Sequence, residues 1–320
     1  MKEAVIGIDL GGTNTKYGLV DRTGDCFADG SIETHAHRPV TEFIPRIAQA
    51  ITALLQQHPN VSVKAVGVGA PNGNYYTGRM EKAPNFQWGE RVELAKLLSE
   101  ALQLPVWLTN DANAAAIGEK LYGVAKHFKD FVVITLGTGL GSGIYVNNQL
   151  VYGHDGFAGE IGHTTVFLDG RDHTTGRKGS LETYVSATGI KRTVFELLCN
   201  RIEPSPLRDL SYNQMTAKHI TEAALQGDKI ALEAFELTGK ILGLKLSDTV
   251  AHLSPEAIIL FGGLANAGDL ILRPTKYWME YYNLGIFKNK TQILISDLKG
   301  DSVAIQGAAA LAWEEWTKHQ

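Results

Sequence analysis

Cysteine is almost missing from this chain: Cys26 and Cys199 are the two thiols among 320 residues. Two thiols build no disulfide framework, and a reducing cytoplasm is the expected compartment. A basic excess is missing as well. Thirty Lys and Arg against 34 Asp and Glu leave a formal net charge of −4, so no electrostatic footprint for nucleic acid or an anionic membrane is expected. No apolar run approaches the roughly 18 residues that a membrane-spanning helix needs. The opening MKEAVIGIDLGG carries an apolar run of about six residues cut by Asp9, too short for the apolar region of a leader. Low-complexity tracts and long linkers are absent too.

What is present is ordinary globular material, 44% hydrophobic and 20% charged. Single cores stop growing near ~250–300 residues, so two domains are expected. AVIGIDL (4–10) reads as a buried strand, followed by GGTNTK and a second strand, YGLVD. Residues 42–55 place Phe43, Ile44, Ile47, Ile51, Leu54 and Leu55 on one helical face, with Thr41 as the expected N-cap. KAVGVGA (64–70) is strand-like, and Leu94, Leu97, Leu98, Ala101 and Leu102 mark another amphipathic helix. VWLT then runs into NDANAAAIGEKLYG, where Asn110 or Asp111 is placed to cap a helix ending near Gly123.

The second half restarts the theme. FVVITLGTGLGSGIYVNNQ (131–149) is strand, glycine loop, strand and turn. Laid on residues 7–21 without a gap, it sets Thr135 against Asp9, Gly137 against Gly11 and Asn147 against Asp21. AIILFGGLANAG (257–268) adds a strand running into a Gly-Gly turn. Repeated strand–glycine–strand units interleaved with helices predict two related α/β lobes with a central ligand cleft.

The glycine loops have a chemical reading. In DLGGTNTK, glycines let the backbone approach an anion, exposed N–H groups donate to it, and Lys16 adds a point charge. Neither this loop nor LGTGLGSG has the spacing of the standard nucleotide fingerprints, and each precedes a strand rather than a helix. Two facing hairpin loops gripping one polyphosphate from opposite lobes is a different solution. Asp111, after a strand and at the start of a helix, can point a carboxylate from a rigid element into the cleft, although capping its helix is the simpler role.

Five segments together, IGIDLGGTNTKYGLV, TNDANAAAIGE, ITLGTGLGSGI, GFAGEIGH and GSLETYVSATG, resemble the ROK (repressor–open reading frame–kinase) sugar kinases, most of all the bacterial glucokinases. The match runs over nearly the whole chain in the family's order. The resemblance implies a two-lobed actin-like ATPase (ribonuclease H-like) fold, with one lobe of residues 1–110 plus 307–320 and the other of 111–306. It implies ATP-dependent phosphorylation of a hexose, with ATP and Mg²⁺ as cofactors, glucose as the favoured sugar, and a homodimer. N-acetylglucosamine, mannose, allose and fructose are the alternative substrates, and a non-catalytic sugar sensor the alternative function. The family's repressors carry a DNA-binding segment ahead of the first glycine loop, where this chain has eight residues before Asp9.

Carried over residue by residue, the resemblance makes Asp111 the general base that accepts the hydroxyl proton. Asn85, Asn110, Asp111, Glu160, His163 and Glu182 become sugar contacts. Asp9 would hold Mg²⁺ through water, since that ion keeps several waters. Gly11, Gly12, Thr13 and Lys16 would face phosphate, with Gly137, Thr138 and Gly139 opposite and Gly262 and Gly263 on the adenosine side. Glu160 and His163 are three apart, so one helical turn would set them side by side.

The family also carries a zinc pattern, H-x9-C-x-C-G-x2-G-C-x-E. Here His163 begins it, Gly176 and Gly179 persist and Glu182 ends it, but His173, Thr175 and Ser180 stand at the cysteine positions. Structural zinc wants about four N or S ligands, and neutral hydroxyls are poor ones. No structural zinc is therefore expected, and hydrogen bonds from Thr174, Thr175 and Ser180 are the expected brace.

Overall fold

The computed structural model describes residues 1–298, 300 and 302–320. In it, apolar strands separated by glycine turns build two sheets of one plan. In the first, β1 (Lys2–Leu10), β2 (Asn14–Val20) and β3 (Cys26–Glu33) form an antiparallel meander. After α1 (Val40–Gln57), β4 (Val61–Gly69) returns parallel to β1. A small antiparallel sheet of β5 (Gly73–Asn74), β6 (Arg79–Glu81) and β7 (Arg91–Val92) precedes α2 (Leu94–Leu102). β8 (Val106–Thr109) then completes the order β3-β2-β1-β4-β8.

α3 (Asp111–Leu121) leads into the second sheet. β9 (Phe131–Leu136), β10 (Leu140–Val146) and β11 (Gln149–Leu150) again form an antiparallel meander. The helices α4 (Ala187–Asn200), α5 (Ala217–Leu225) and α6 (Lys229–Leu253) intervene before β12 (Ala257–Phe261) pairs parallel to β9. α7 (Asp269–Tyr282) crosses to β13 (Gln292–Ile295), and the order is β11-β10-β9-β12-β13. Both sheets therefore run meander, first strand, parallel return, parallel edge. The gap-free overlay of residues 7–21 on 133–147 reads this shared plan.

β9 (FVVITL) and β12 (AIILF) are apolar along their length because helices cover both faces of the sheet. In α1 the anticipated face is buried through Phe43, Ile44, Ile47 and Ile51. Thr41 is not its cap. The helix starts at Val40 after Pro39, whose extended backbone (φ −57°, ψ 145°) takes the N-cap position without a side-chain bond. Proline at that point costs nothing, since an N-terminal N–H has no intrahelical partner to lose. No helix among the described residues is long and apolar enough to cross a membrane.

α8 (Val303–Lys318) returns to the first sheet. It lies over the neighbouring glycines Gly7 and Gly67, paired across β1 and β4. A Cβ at Gly7 would sit 2.1 Å from Ile305 O, and one at Gly67 1.9 Å from Ala308 O. On its other side α8 meets α3 where Gly118 faces Gly307, with room for only 3.0 Å between a Cβ and the opposing Cα. The bare backbone surfaces at both crossings draw helix, sheet and helix together, and α3 in turn delivers Asp111.

Candidate functional site

The first glycine loop joins β1 to β2. Gly11 N donates to Asn14 O (3.1 Å), and Thr34 N, just past β3, donates to Thr13 O (2.8 Å). A buried hydroxyl pair fixes the turn from beneath: Thr34 Oγ donates to Gly11 O (2.7 Å) and receives a hydrogen bond from Thr15 Oγ (2.8 Å). Neither threonine was singled out from the sequence. The alternation of β2 places Thr15 inward, but its partner is 19 residues away and appears only once β2 and β3 pair.

The second loop joins β9 to β10. Gly137 N donates to Gly139 O (3.0 Å), and Gly137 O accepts from Ala187 N at the start of α4 (2.9 Å). Ser186 caps that helix, its hydroxyl accepting from Gly189 N.

The loop glycines divide into two kinds. Gly11, Gly139 and Gly262 are bare for the protein's own sake. Their Cβ atoms would meet Asn14 O at 2.7 Å, Glu182 Oε2 at 2.3 Å and Leu136 O at 2.9 Å, and Gly262 also sits at φ +99°. Gly12, Gly137 and Gly263 would meet nothing within 4 Å and have ordinary backbone angles. Packing does not demand glycine there. Of the three, Gly137 lines the cavity at Asp9, Gly263 borders a neighbouring one, and Gly12 lies outside both.

Between Asp9 at the end of β1 and the second glycine loop lies a cavity of about 490 Å³. Asp9, Asn110, Asp111, Gly137, Thr138, Gly139, Glu160, His163, Glu182 and Gly262 line it. Gly263 borders a neighbouring cavity with Asn266, Ser296 and Leu298. Gly11, Gly12, Thr13 and Lys16 are not in the cavity wall. Lys16 stands opposite Asp9 across the β1–β2 ladder. Asn85 is exposed in a left-handed turn (φ 66°), away from the wall, where its neighbour Pro84 takes a place. Thr135 and Ser142, passed over in the sequence, join the lining.

Asn110 caps α3, its Oδ1 accepting from Asn113 N (2.6 Å), so Asp111 is left to begin the helix. One Asp111 carboxylate oxygen accepts from Ala112 N (2.9 Å). Asp111 lines the cavity and is exposed to it, and desolvation by the protein around it, with the charge of Glu182 added, pushes its pKa up. Asp9 is pushed up to about 6, by burial first and by Asp111 second, against the opposing pull of Lys16. Desolvation also raises Glu160, although 45% of its side chain is exposed, with His163 pulling it back and Asp111 and Glu182 adding repulsion. Acidic groups thus converge on one polar hollow, which suits a ligand rich in hydroxyl donors at one end and a cation between Asp9 and its surroundings.

A short 3-10 turn, Ile161–His163, sets the predicted pair side by side, with His163 Nε2 3.7 Å from Glu160 Oε2. Glu182 is held at both oxygens. Oε2 accepts from Leu140 N on the second glycine loop (2.6 Å), and Oε1 lies 2.5 Å from His173 Nε2.

The brace of this loop differs in part from the one expected. Thr175 contributes, its Oγ 2.7 Å from His173 Nδ1. Ser180 Oγ is buried with no hydrogen-bond partner, and Thr174 makes no side-chain hydrogen bond among the described residues. The principal fastening is Arg171. Its guanidinium donates to Thr183 O and Gly189 O, to Thr193 Oγ and to both oxygens of Glu196, and lies 4.4 Å from the ring centre of Tyr184. These partners are 12 to 25 residues away along the chain, so no local pattern announces the role. As a zinc site the donor set does not fit: two hydroxyls replace thiolates, and both nitrogens of His173 are already engaged.

A family model described as the ROK family matches residues 5–315. A glucokinase of Halalkalibacterium halodurans is 33% identical over 315 residues, spanning 97% of this chain and 95% of that protein. The crystal structure of a ROK family glucokinase from Streptomyces griseus in complex with glucose and AMPPNP superposes with a TM-score of 0.82 at 32% identity, over 97% of this chain and 99% of that one. A xylose repressor of Caldicellulosiruptor bescii is 26% identical, over 96% of this chain and 77% of the repressor.

Proposed function

The chain belongs to the ROK family, with the actin-like ATPase fold, and from that premise we propose that it is an ATP-dependent hexose kinase whose preferred sugar is glucose. The observation that carries the reading is the cavity that joins a carboxylate at a helix start, Asp111, to the glycine loop 137–139 and to a cluster of sugar-competent side chains. Similarity to glucokinases, one of them solved with glucose and AMPPNP, supports the substrates.

In this reading Asn110, Glu160, His163 and Glu182 bind the sugar hydroxyls, and Asn85 joins them only after the lobes close. The lobes are assigned as 1–110 plus 307–320 and 111–306. The assignment is supported by β8 ending the first sheet at Thr109 and by α8, which begins at Val303, packing back on β1 and β4. Closure would expel water and limit idle ATP hydrolysis. Asp111 accepts the proton of the 6-hydroxyl as its oxygen forms a bond to the γ-phosphorus and the bond to the ADP oxygen breaks. The residues present suit Mg²⁺: Asp9 lines the cleft with its pKa raised to about 6, a cost of ionisation that a cation would relieve. When bound, the ion would neutralise phosphate charge, with Asp9 reaching it through water. Gly11, Gly12, Thr13 and Lys16 serve the phosphates from one side, Gly137, Thr138 and Gly139 from the other, and Gly262 and Gly263 the adenosine.

The glycine division gives a sharp expectation. Gly12→Ala and Gly137→Ala each add a methyl group to open space that in this reading the nucleotide phosphates approach, so the ATP KM is expected to rise roughly tenfold, with the glucose KM within about twofold and melting little changed. A large loss of melting temperature with unaltered ATP kinetics would reverse this assignment. Glu160→Gln is expected to weaken glucose more than ATP, by about tenfold in KM. Equal weakening of both would point to a folding defect instead.

The function itself is tested by ADP release with Mg-ATP across glucose, N-acetylglucosamine, mannose, allose and fructose, comparing kcat/KM. Glucose is expected to rank first. The xylose-repressor relative supports a second reading, a sugar sensor without turnover. Sugar binding with no hexose-dependent ADP release would favour it. A homodimer is carried by family analogy, and its solution mass is the check.

A further inference from the structure

Glu182 faces the cavity, yet its two oxygens are spoken for by different parts of the chain. Oε2 receives Leu140 N of the second glycine loop, and Oε1 meets His173 on the 164–180 segment. The protonation of His173 follows from its other nitrogen. Thr175 N donates to Nδ1 at 3.1 Å, and Thr175 Oγ lies 2.7 Å from the same atom. A nitrogen that accepts a backbone N–H carries no proton of its own. The ring proton is therefore on Nε2, and it points at Glu182 Oε1. The imidazole is nearly covered, with 10% of its side chain exposed, and the ring of His163 packs edge-on against it at 5.2 Å.

We propose that His173, as the neutral Nε2–H tautomer, is a positioning residue that orients the Glu182 carboxylate toward the sugar while Glu182 ties the sugar side of the cleft to the second glycine loop. A hydrogen-bonded chain of Thr175, His173, Glu182 and Leu140 then takes the place of a metal joint in this segment. Arg171 supplies the stiffness behind it, binding the main chain at Thr183, next to Glu182, and at Gly189 in α4. With one Oε1 lone-pair direction taken by His173, the remaining acceptor directions of Glu182 have a fixed aim, and a hydroxyl arriving in the cavity finds them already oriented. The function of this joint rests on the kinase reading; the tautomer and the bond do not.

Two substitutions separate the joint from general packing. His173→Gln keeps an N–H donor at the end of a side chain of similar reach, and His173→Leu fills space without one. Leucine is expected to raise the glucose KM about tenfold with the ATP KM within about twofold, and glutamine to restore glucose to within about threefold of the unaltered protein. Equal effects of the two substitutions, or equal losses for glucose and ATP, would overturn the proposal. Nitrogen-15 spectra of the imidazole, read without any sugar, test the bond independently of turnover. The expected pattern is a protonated Nε2 and an unprotonated Nδ1 on His173, with the Nε2 proton shifting in Glu182→Gln. A proton on Nδ1, or one equivalent of zinc in protein purified without added metal, would overturn it even where the enzyme phosphorylates glucose. Conversely, the expected spectrum in a protein that turns over no hexose would leave the bond standing and remove the kinase reading.

Discussion

Replacing Asp111 with asparagine is expected to lower kcat by roughly 10²-fold or more, the usual worth of general-base help, while the melting temperature and the glucose dissociation constant stay close to those of the parent. The substitution is nearly isosteric. Asparagine keeps the side-chain oxygen that accepts Ala112 N, and the cap of α3 belongs to Asn110 rather than to residue 111. What disappears is the one carboxylate at the helix start able to take a hydroxyl proton. Near-normal turnover would remove Asp111 as base. A collapse of glucose binding would instead assign it to recognition.

The same carboxyl sets a pH signature. Enclosure raises the Asp111 pKa above the ordinary carboxylate value, and Asp9 is raised to about 6. In the proposed mechanism Asp111 acts in its ionised form, so the acid limb of kcat/KM is expected above the usual carboxylate range, and Asp111→Asn should flatten the part that belongs to it. Stability runs the other way. A folded pKa raised above the unfolded one means that the group's stabilising contribution is complete below the unfolded value and is lost as pH rises through the folded one. For Asp9 that window runs from 3.8 to about 6. Ionising these groups near neutrality therefore costs the ligand-free protein stability, and occupied phosphate and cation sites should return it.

Gly67→Ala is expected to be among the most damaging small changes at the described residues. The added Cβ would lie 1.9 Å from Ala308 O and 3.0 Å from Ala312 N, both main-chain atoms of α8 that no rotamer change can move. Either the helix lifts from β1 and β4 or the sheet buckles. Lifting it would uncover Ile305, Ala308, Ala309 and Ala312, all buried to about 1% exposure or less, and would disturb the Gly118–Gly307 crossing that seats α3. Overpacking typically costs about 1–3 kcal/mol, and here the collision with backbone puts the expectation at about 4 kcal/mol or more. Insoluble expression, or melting lower by roughly 10 °C, is the expected result by circular dichroism. A variant that melts like its parent would show that α8 does not rest on this glycine pair.

The sequence was most legible where local pattern and fold agree. The strand–glycine–strand units at 4–21 and 131–149 announce the paired meanders, because turn glycines and apolar strands are local properties. A cap at Asn110 or Asp111 and the Glu160–His163 turn are readable for the same reason, and the structure assigns the cap to Asn110. Thr41 has the capping preference, but Pro39, two residues earlier, holds the extended N-cap position and the helix has already begun at Val40. Arg171 was invisible. Its partners lie in the next turn and in α4, and nothing in the run GRD distinguishes a buried hub from a solvated surface charge. The paired use of Gly7 and Gly67 was equally hidden, since each looks like a weak strand residue until β1 and β4 align and a helix from the far end of the chain settles on them.

The most direct measurement is a crystal structure of the protein with AMPPNP, Mg²⁺ and glucose. The expected result is a triphosphate held between residues 9–16 and 137–139, with the glucose 6-hydroxyl within about 3 Å of the Asp111 carboxylate. A nucleotide lying elsewhere, or a sugar bound away from Asp111 and Glu160, would contradict the assignment of this cleft as the site of phosphoryl transfer.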